Sequence, residues 1–536
     1  MAGSTLATKQ RAVREIAAWL FIALFLTYGY FHQGGGWHQN SRFNQIRSLV
    51  ETETLEINDY LFYRARSDSS GATRIERIPY PVNAKTRDLS FANTGDISVY
   101  GGSVYPNKPP GTSFAAVPAY LLIRQLEWFW DVDPENWWVL TLNCYLTTVL
   151  SMGIITALGG VVFYLVTRRL FASASSWVHP ASTITYGLGT LILPYATMLF
   201  DHALAATLSL LVFWLLVVEK QGGFISLRSS LSFFFAGVLA GFSIVVSYTS
   251  MIVTGLLFGY AWFVSPRKKH LLSFIIGIGL PLGFLLWYHT VCCGSPLTNT
   301  NAHQLELFRT RDAVFFGVFG FPRIDVAFRL LFSTYRGLFF TSPVLVLSLF
   351  GLGLMVFGRR QRVEAILFGS IAGGFLLMNS AFNFWHAGWT AGPRYLIPIL
   401  PFLALPLALA FDKLPKTTCG LALASIAIML LVTAVDPQPP TAVMNPLKDH
   451  ILVLAGGKNA VINGIQVTGP VSANPMGNFE SWDHPERSLT PAQRLWNSFN
   501  VGEFLWPGSF LSLAPLGIML GVSFTRIAWL VKSAAR

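Results

Sequence analysis

Tyr105-Pro106-Asn107-Lys108-Pro109-Pro110-Gly111 stands between a polar stretch and a return to apolar sequence. Two prolines and a glycine after the lysine exclude a helix and predict a stiff turn with one cation at its apex. What that turn does depends on its surroundings. At a membrane surface its ammonium would meet a phosphate carried by a lipid, so the first question is whether the flanking sequence crosses a bilayer.

Composition answers it. The 536 residues are 53% hydrophobic and 12% charged, with 43 Phe and 16 Trp, where soluble domains are about 25% charged. The class predicted is an all-α polytopic membrane protein. Apolar runs close to the ~20 residues that cross a bilayer lie at 17–31, 138–166, 179–199, 203–218, 231–247, 251–264, 271–290, 338–357, 363–379, 396–411, 420–435 and 510–531, about twelve spans. The first lacks a small-residue cleavage pattern and is expected to be retained.

The net charge of +12 forms no basic stripe and no nucleic-acid motif, so no nucleic-acid partner is expected. It is a topology signal instead. With the N-terminus inside, the inner loops hold Arg168-Arg169, Lys220, Arg267-Lys268-Lys269, Arg359-Arg360 and Lys413 among eighteen basic residues against four acids. The outer loops hold twenty basic residues and twenty-two acids, as the positive-inside rule places them. Both termini are therefore expected on the cytoplasmic side. Four cysteines show neither metal-ligand spacing nor a disulfide framework.

All long loops then fall outside, at 33–110, 291–334 and 436–507. Residues 1–435 form the transmembrane core with a first periplasmic loop at 32–113, residues 436–507 a small mixed cap, and residues 508–536 the last helix and tail. Helical spacing of Phe43, Ile46, Leu49 and Val50 predicts an amphipathic helix over 41–56 lying in the interface. A second interfacial helix is expected at 114–130, where Arg124, Gln125 and Glu127 suit a span poorly.

Outer polar groups collect in the first loop (Asn40, Arg42, Asp59, Asp96, Lys108), at Asp201-His202, and around Asn379–Arg394, with Arg336 at another helix mouth. Arginine binds phosphate bidentately, yet Arg336 and Arg394 also suit interfacial anchors. Asp201 also suits a helix cap, Asp59 a solvated loop acid, and Asp96 a turn residue.

Ser41-Arg42-Phe43, then Asn107-Lys108-Pro109-Pro110, then a helix ending at Arg168-Arg169 resemble the GT-C fold membrane glycosyltransferases, in particular the aminoarabinose transferase and protein O-mannosyltransferase group. Tyr335-Arg336-Gly337-Leu338-Phe339 with Ser342-Pro343, and Gly392-Pro393-Arg394-Tyr395-Leu396, are similar to sequences of that group. The resemblance covers about the first 220 residues well and the rest by layout. It implies a GT-C-like helical bundle with a periplasmic cavity and transfer of a sugar from a polyprenyl-phosphate or pyrophosphate donor to a glycan, lipid or protein acceptor. Where the family begins its first interfacial helix with Asp-Glu, this chain has Gln39 and Asn40, and the acid before Lys-Pro-Pro is Asn107. Neutral amides bind sugars and phosphates but accept no proton near pH 7.

Another acid must then be the base, Asp96 first and Asp59 second. Lys108, Arg42, Arg336 and Arg394 would stabilise the departing phosphate, and Asn40, Asn107, His202, His386 and Trp389 would bind substrate, giving one inverting displacement. No metal ligand is assigned; the family includes metal-bound and metal-independent members, so a divalent metal stays open. The competing classes are a flippase for a lipid-linked saccharide, which needs polar groups along a transmembrane path, and a non-catalytic accessory membrane protein.

Overall fold

The computed structural model describes the chain apart from residues 1, 35, 68–72, 79–92, 223–225, 266, 307–317, 359–360, 458–459, 463–464, 468–497, 508 and 536. Arg359-Arg360 and much of the expected C-terminal cap lie outside the described residues. Eight helices among the described residues are long and apolar enough to cross a membrane, including Gln10–Tyr30, Trp137–Leu170, Asp201–Lys220, Lys269–Cys293 and Pro415–Val435. The chain is a multi-pass membrane protein.

The other expected spans are present as short or broken helices. Residues 179–199 divide into Val178–Leu188 and Ile192–Ala196. Residues 338–357 divide into Leu338–Thr341, a 3-10 turn at Pro343–Leu345, and Val346–Phe357. Arg394–Ala404 and Leu407–Lys413 meet at 51° and count as a ninth span if taken together. Proline is the physical reason in the last two cases: Pro343, Pro398, Pro401 and Pro406 lack an N–H and crowd the preceding turn. Elsewhere backbones approach closely. A Cβ on Gly237 would stand 2.1 Å from the Phe274 oxygen, and one on Gly277 2.2 Å from that of Phe234, the small-residue contact that lets membrane helices pack.

The basic loops share one end of the bundle. Arg169 donates to Gln221, Gln361 to the Leu170 carbonyl, Lys220 to Glu364 and Ser175 to Asp412. Asp201 lies at the opposite end of the helix from Lys220, about 30 Å away for 20 residues.

That opposite end carries the first loop. Helix α1 (Ala2–Tyr30) leads into strand β1 (Phe31–Gln33), helix α2 (Trp37–Arg47), and the hairpins β2 (Phe62–Ser67) with β3 (Thr73–Ile78) and β4 (Ile97–Tyr100) with β5 (Ser103–Pro106). Helix α3 (Gly111–Phe129) starts where the lysine turn ends. Farther on, β6 (Ala460–Ile462) pairs with β7 (Ile465–Val467), and β8 (Ser498–Asn500) returns antiparallel to β1. The C-terminal segment is thereby tied to the start of the first loop.

The expected interfacial helix over 41–56 is instead a buried one. α2 ends in a π-turn at Ser48–Thr52 and stops at Glu53, which is left-handed with φ 55°. From Gln39 to Arg47 every side chain is buried, because each polar one finds a protein partner. Gln39 accepts from the Leu199 N–H at 3.1 Å, Asn40 donates to the Asn93 carbonyl at 2.8 Å, and Gln45 donates to Tyr288 at 2.8 Å. Phe43 and Ile46 pack with Tyr60 and Tyr120.

Candidate functional site

α2 presents His38 and Arg42, four residues apart and so on one helical face. The β4–β5 hairpin supplies the next pair. Its register sets Ile97 opposite Pro106, the Asn107 N–H donates to the Asp96 carbonyl at 3.2 Å, and closure leaves Lys108 Nζ 3.2 Å from Asp96 Oδ1. The hydroxyl of Ser41 on α2 also donates to the Asp96 carbonyl at 2.7 Å, which locks the hairpin on the helix. Asp201 and His202 open the helix Asp201–Lys220, and Arg394 opens the 3-10 helix Arg394–Ile399.

These groups converge. Arg42 Nη2 donates to Asp201 Oδ1 at 2.8 Å, and His38 Nε2 lies 3.2 Å from the same oxygen. His38 Nδ1 is 3.6 Å from Asp96 Oδ2, and His202 Nδ1 is 3.4 Å from Asp201 Oδ2. The His38 ring stacks on Phe200 at 4.1 Å, and the Arg394 guanidinium lies over the same ring at 5.3 Å. Burial, reinforced by Arg42, pushes the His38 imidazole well below its usual range, so it is neutral at pH 7. Arg42, Lys108 and Arg394 then face Asp96 and Asp201, leaving one net positive charge.

Three donors in this cluster are buried without a hydrogen-bond partner, Arg42 Nε, Arg42 Nη1 and Arg394 Nε. Arg42 is only 1% exposed. A buried unsatisfied donor costs about 1–3 kcal/mol, more when charged, and an anion bearing several oxygens is the acceptor that guanidinium geometry suits. Among the described residues no group of three or more His, Cys, Asp or Glu is placed to hold a metal ion; both carboxylates here are engaged by cations.

Of the residues singled out in the sequence, Asp96, Lys108, Arg42, His202 and Arg394 come together. Arg336 does not join them. Fully buried, it donates from Nε to the His386 carbonyl, from Nη1 to that of Tyr335 and from Nη2 to that of Gly388, each at 3.0–3.1 Å, and burial lowers its pKa to about 10. Its guanidinium braces the 386–388 loop, which borders Arg394. His386 Nδ1 accepts from the Gly388 N–H at 3.1 Å, and Trp389 is 40% exposed on the same loop. Asn40 is engaged by Asn93, and Asn107 is buried with Oδ1 unpartnered. Asp59 sits half-exposed on the 3-10 turn Asn58–Tyr60 with no ion pair to the cluster.

Asp201 is not the helix cap it resembles: Phe200 is the N-cap, with no side-chain cap bond, and the Asp201 carboxylate binds Arg42. His38 was not singled out from the sequence, although its spacing from Arg42 is the signal that places it here.

No family profile matches the chain, and no curated protein matches it. Among solved structures it is similar to ArnT from Cupriavidus metallidurans bound to undecaprenyl phosphate, at 12% identity and TM-score 0.46, over 97% of this chain and 77% of that one. It is also similar to the archaeal oligosaccharyltransferase AglB from Archaeoglobus fulgidus in complex with an inhibitory peptide and a dolichol-phosphate, at 10% identity and TM-score 0.42, over 81% of this chain. The match spans about half of that enzyme, 56% of its length.

Proposed function

We propose that this protein is an integral membrane glycosyltransferase of the bacterial inner membrane, with cytoplasmic termini, that moves a sugar from a polyprenyl-phosphate or pyrophosphate donor to a periplasmic acceptor. The observation that supports it most is Arg42, a buried guanidinium with two unpartnered nitrogens beside the Asp96–Lys108 pair. The cluster lies at one end of the bundle, with Lys108 its partly exposed member.

The chemistry follows from charge. As the bond from the anomeric carbon to the phosphate oxygen breaks, that oxygen keeps the electron pair, and Lys108, Arg42 and Arg394 stabilise the growing negative charge. The acceptor hydroxyl attacks the anomeric carbon from the opposite face and gives its proton to Asp96. His38 stands behind this base. With Nε2–H donated to Asp201, its Nδ1 lone pair faces Asp96 and, the ring staying neutral, accepts a hydrogen bond from the carboxyl once that has taken the proton.

Purified protein in nanodiscs, given a radiolabelled polyprenyl-phosphate sugar and envelope acceptors, tests the reading. Asp96→Asn is expected to slow transfer by about 10²–10⁴-fold, the usual contribution of a general base, Lys108→Ala to slow it comparably, and Asp59→Asn to leave it unchanged. A fully active Asp96→Asn would remove the base assignment. Wild-type protein that neither retains a polyprenyl phosphate nor transfers sugar would remove the enzyme reading.

A further inference from the structure

Nine residues beyond Arg42, about 14 Å along the helix axis, the π-turn that ends α2 builds a second polar site. Arg47 forks onto Glu51, with Nε to Oε1 at 2.9 Å and Nη2 to Oε2 at 3.2 Å. Tyr120 donates to Glu51 Oε1 at 2.5 Å, and Tyr60 to Oε2 at 3.3 Å. Arg77 reaches Glu51 with Nη1 at 3.4 Å and Glu135 with Nη2 at 3.3 Å, and Arg47 also touches Glu135 at 3.3 Å. Arg124 pairs with Glu127. The cluster opens onto a shallow surface cavity of about 560 Å³ lined by Glu51, Glu135, Arg77, Arg124, Gln125 and Trp128 among others.

The chemistry of that lining selects its ligand. Among the described residues Arg47, Arg77 and Arg124 are matched by Glu51, Glu135 and Glu127, so these residues carry no net charge to favour a phosphate or a cation. What remains is a set of immobilised donors and acceptors. Glu135 Oε2 is buried without a partner and accepts only from a donor such as a hydroxyl, while the exposed Gln125 amide both donates and accepts. At the rim the Trp128 ring is 84% exposed, an apolar plate with a polar edge suited to the C–H face of a pyranose. π-turns of this kind are frequent at functional sites.

We propose that this cavity binds a neutral, hydroxyl-rich saccharide and is the acceptor subsite of the transfer reaction, an assignment that rests on the glycosyltransferase reading for the word acceptor and on the cavity alone for the saccharide. One helix then carries both partners, the donor phosphate at Arg42 and the acceptor sugar at Glu51. The saccharide is either free or the headgroup of a glycolipid, and the two sources are separable.

Binding is measured without turnover. Full-length protein in nanodiscs is examined by saturation-transfer NMR with mannotriose, chitotriose and glucose 6-phosphate, and by native mass spectrometry with a synthetic glucosyl-diacylglycerol. At least one neutral probe is expected to bind, the soluble trisaccharides if the acceptor is a free glycan and the glycolipid if it is membrane-borne, with no advantage for the phosphorylated sugar. Trp128→Ala and Gln125→Ala, both at exposed positions that leave the fold intact, should each weaken binding tenfold or more, and Lys108→Ala should leave it unchanged. No binding of any neutral probe up to millimolar concentration, or binding indifferent to Trp128 and Gln125, overturns the proposal. Saccharide binding without sugar transfer removes the enzyme reading and leaves this site; transfer without saccharide binding does the reverse.

Discussion

Arg42 and His38 separate structural from chemical roles at the scale of single residues. Arg42→Ala strips Asp201 of its partner at a buried position, and breaking such a pair costs about 3–5 kcal/mol; a clear fall in unfolding temperature in detergent is expected. Arg42→Lys keeps the charge but loses the planar fork, so stability should largely return while donor binding does not. His38→Gln retains a donor for Asp201 but no imidazole. It should lower kcat by about 10²-fold, the lower range for proton transfer, with KM little changed; an unchanged kcat would make His38 purely a packing residue. Much of this cluster was legible in the chain. Asp96 and Lys108 are twelve positions apart across a turn, near enough for pairing to be read, and Arg42 carried its charge openly. Gln39 and the Asn40 amide nitrogen bond backbone groups, and the α2 side chains that form the ion-pair cluster are one helical turn apart, at 38 and 42.

Two elements position that cluster, and each has a sensitive residue. α3 begins at Gly111, where a Cβ would stand 2.6 Å from the Val245 and Val246 backbone; since Lys108 lies three residues earlier, Gly111→Ala should displace the turn and lower transfer as well as stability. The β1–β8 pairing encloses His32, packed against Tyr145 and Phe499 with neither ring nitrogen bonded. Burial pulls its pKa down to about 3. The unfolded chain takes up a proton below about 6.5 and the folded chain resists it, so stability is full above that pH and is lost as pH falls toward 3. Between pH 7 and pH 5 the loss is about 2 kcal/mol, and His32→Phe should flatten this part of the profile in thermal unfolding at the two pH values. The π-turn of α2 was not legible, because its Arg47–Glu51–Glu135 network joins residues 88 positions apart.

Across the whole molecule the division is between two ends of the bundle. Trp128 and Gln221 are exposed at opposite ends, and three of the four cysteines are buried, with Cys419 half-buried. In a Cys419→Ser background, Trp128→Cys should react with an impermeant thiol reagent from the outside of intact cells and Gln221→Cys only after permeabilisation. Reaction of both from one side would refute the expected orientation.

Hydropathy and charge asymmetry determined by themselves that this chain is helical, crosses a membrane many times and gathers its basic loops at one end, because the bilayer imposes length and apolarity on every span locally. The Lys108 turn and its neighbour Asp96 were visible for the same reason, being set by prolines and a short hairpin. Only the tertiary structure decided that α2 is buried, that Arg336 braces a loop, and that His38, Arg42 and Asp201 meet. Those outcomes depend on which buried polar group finds which partner, an energy shared between distant segments that no local pattern records.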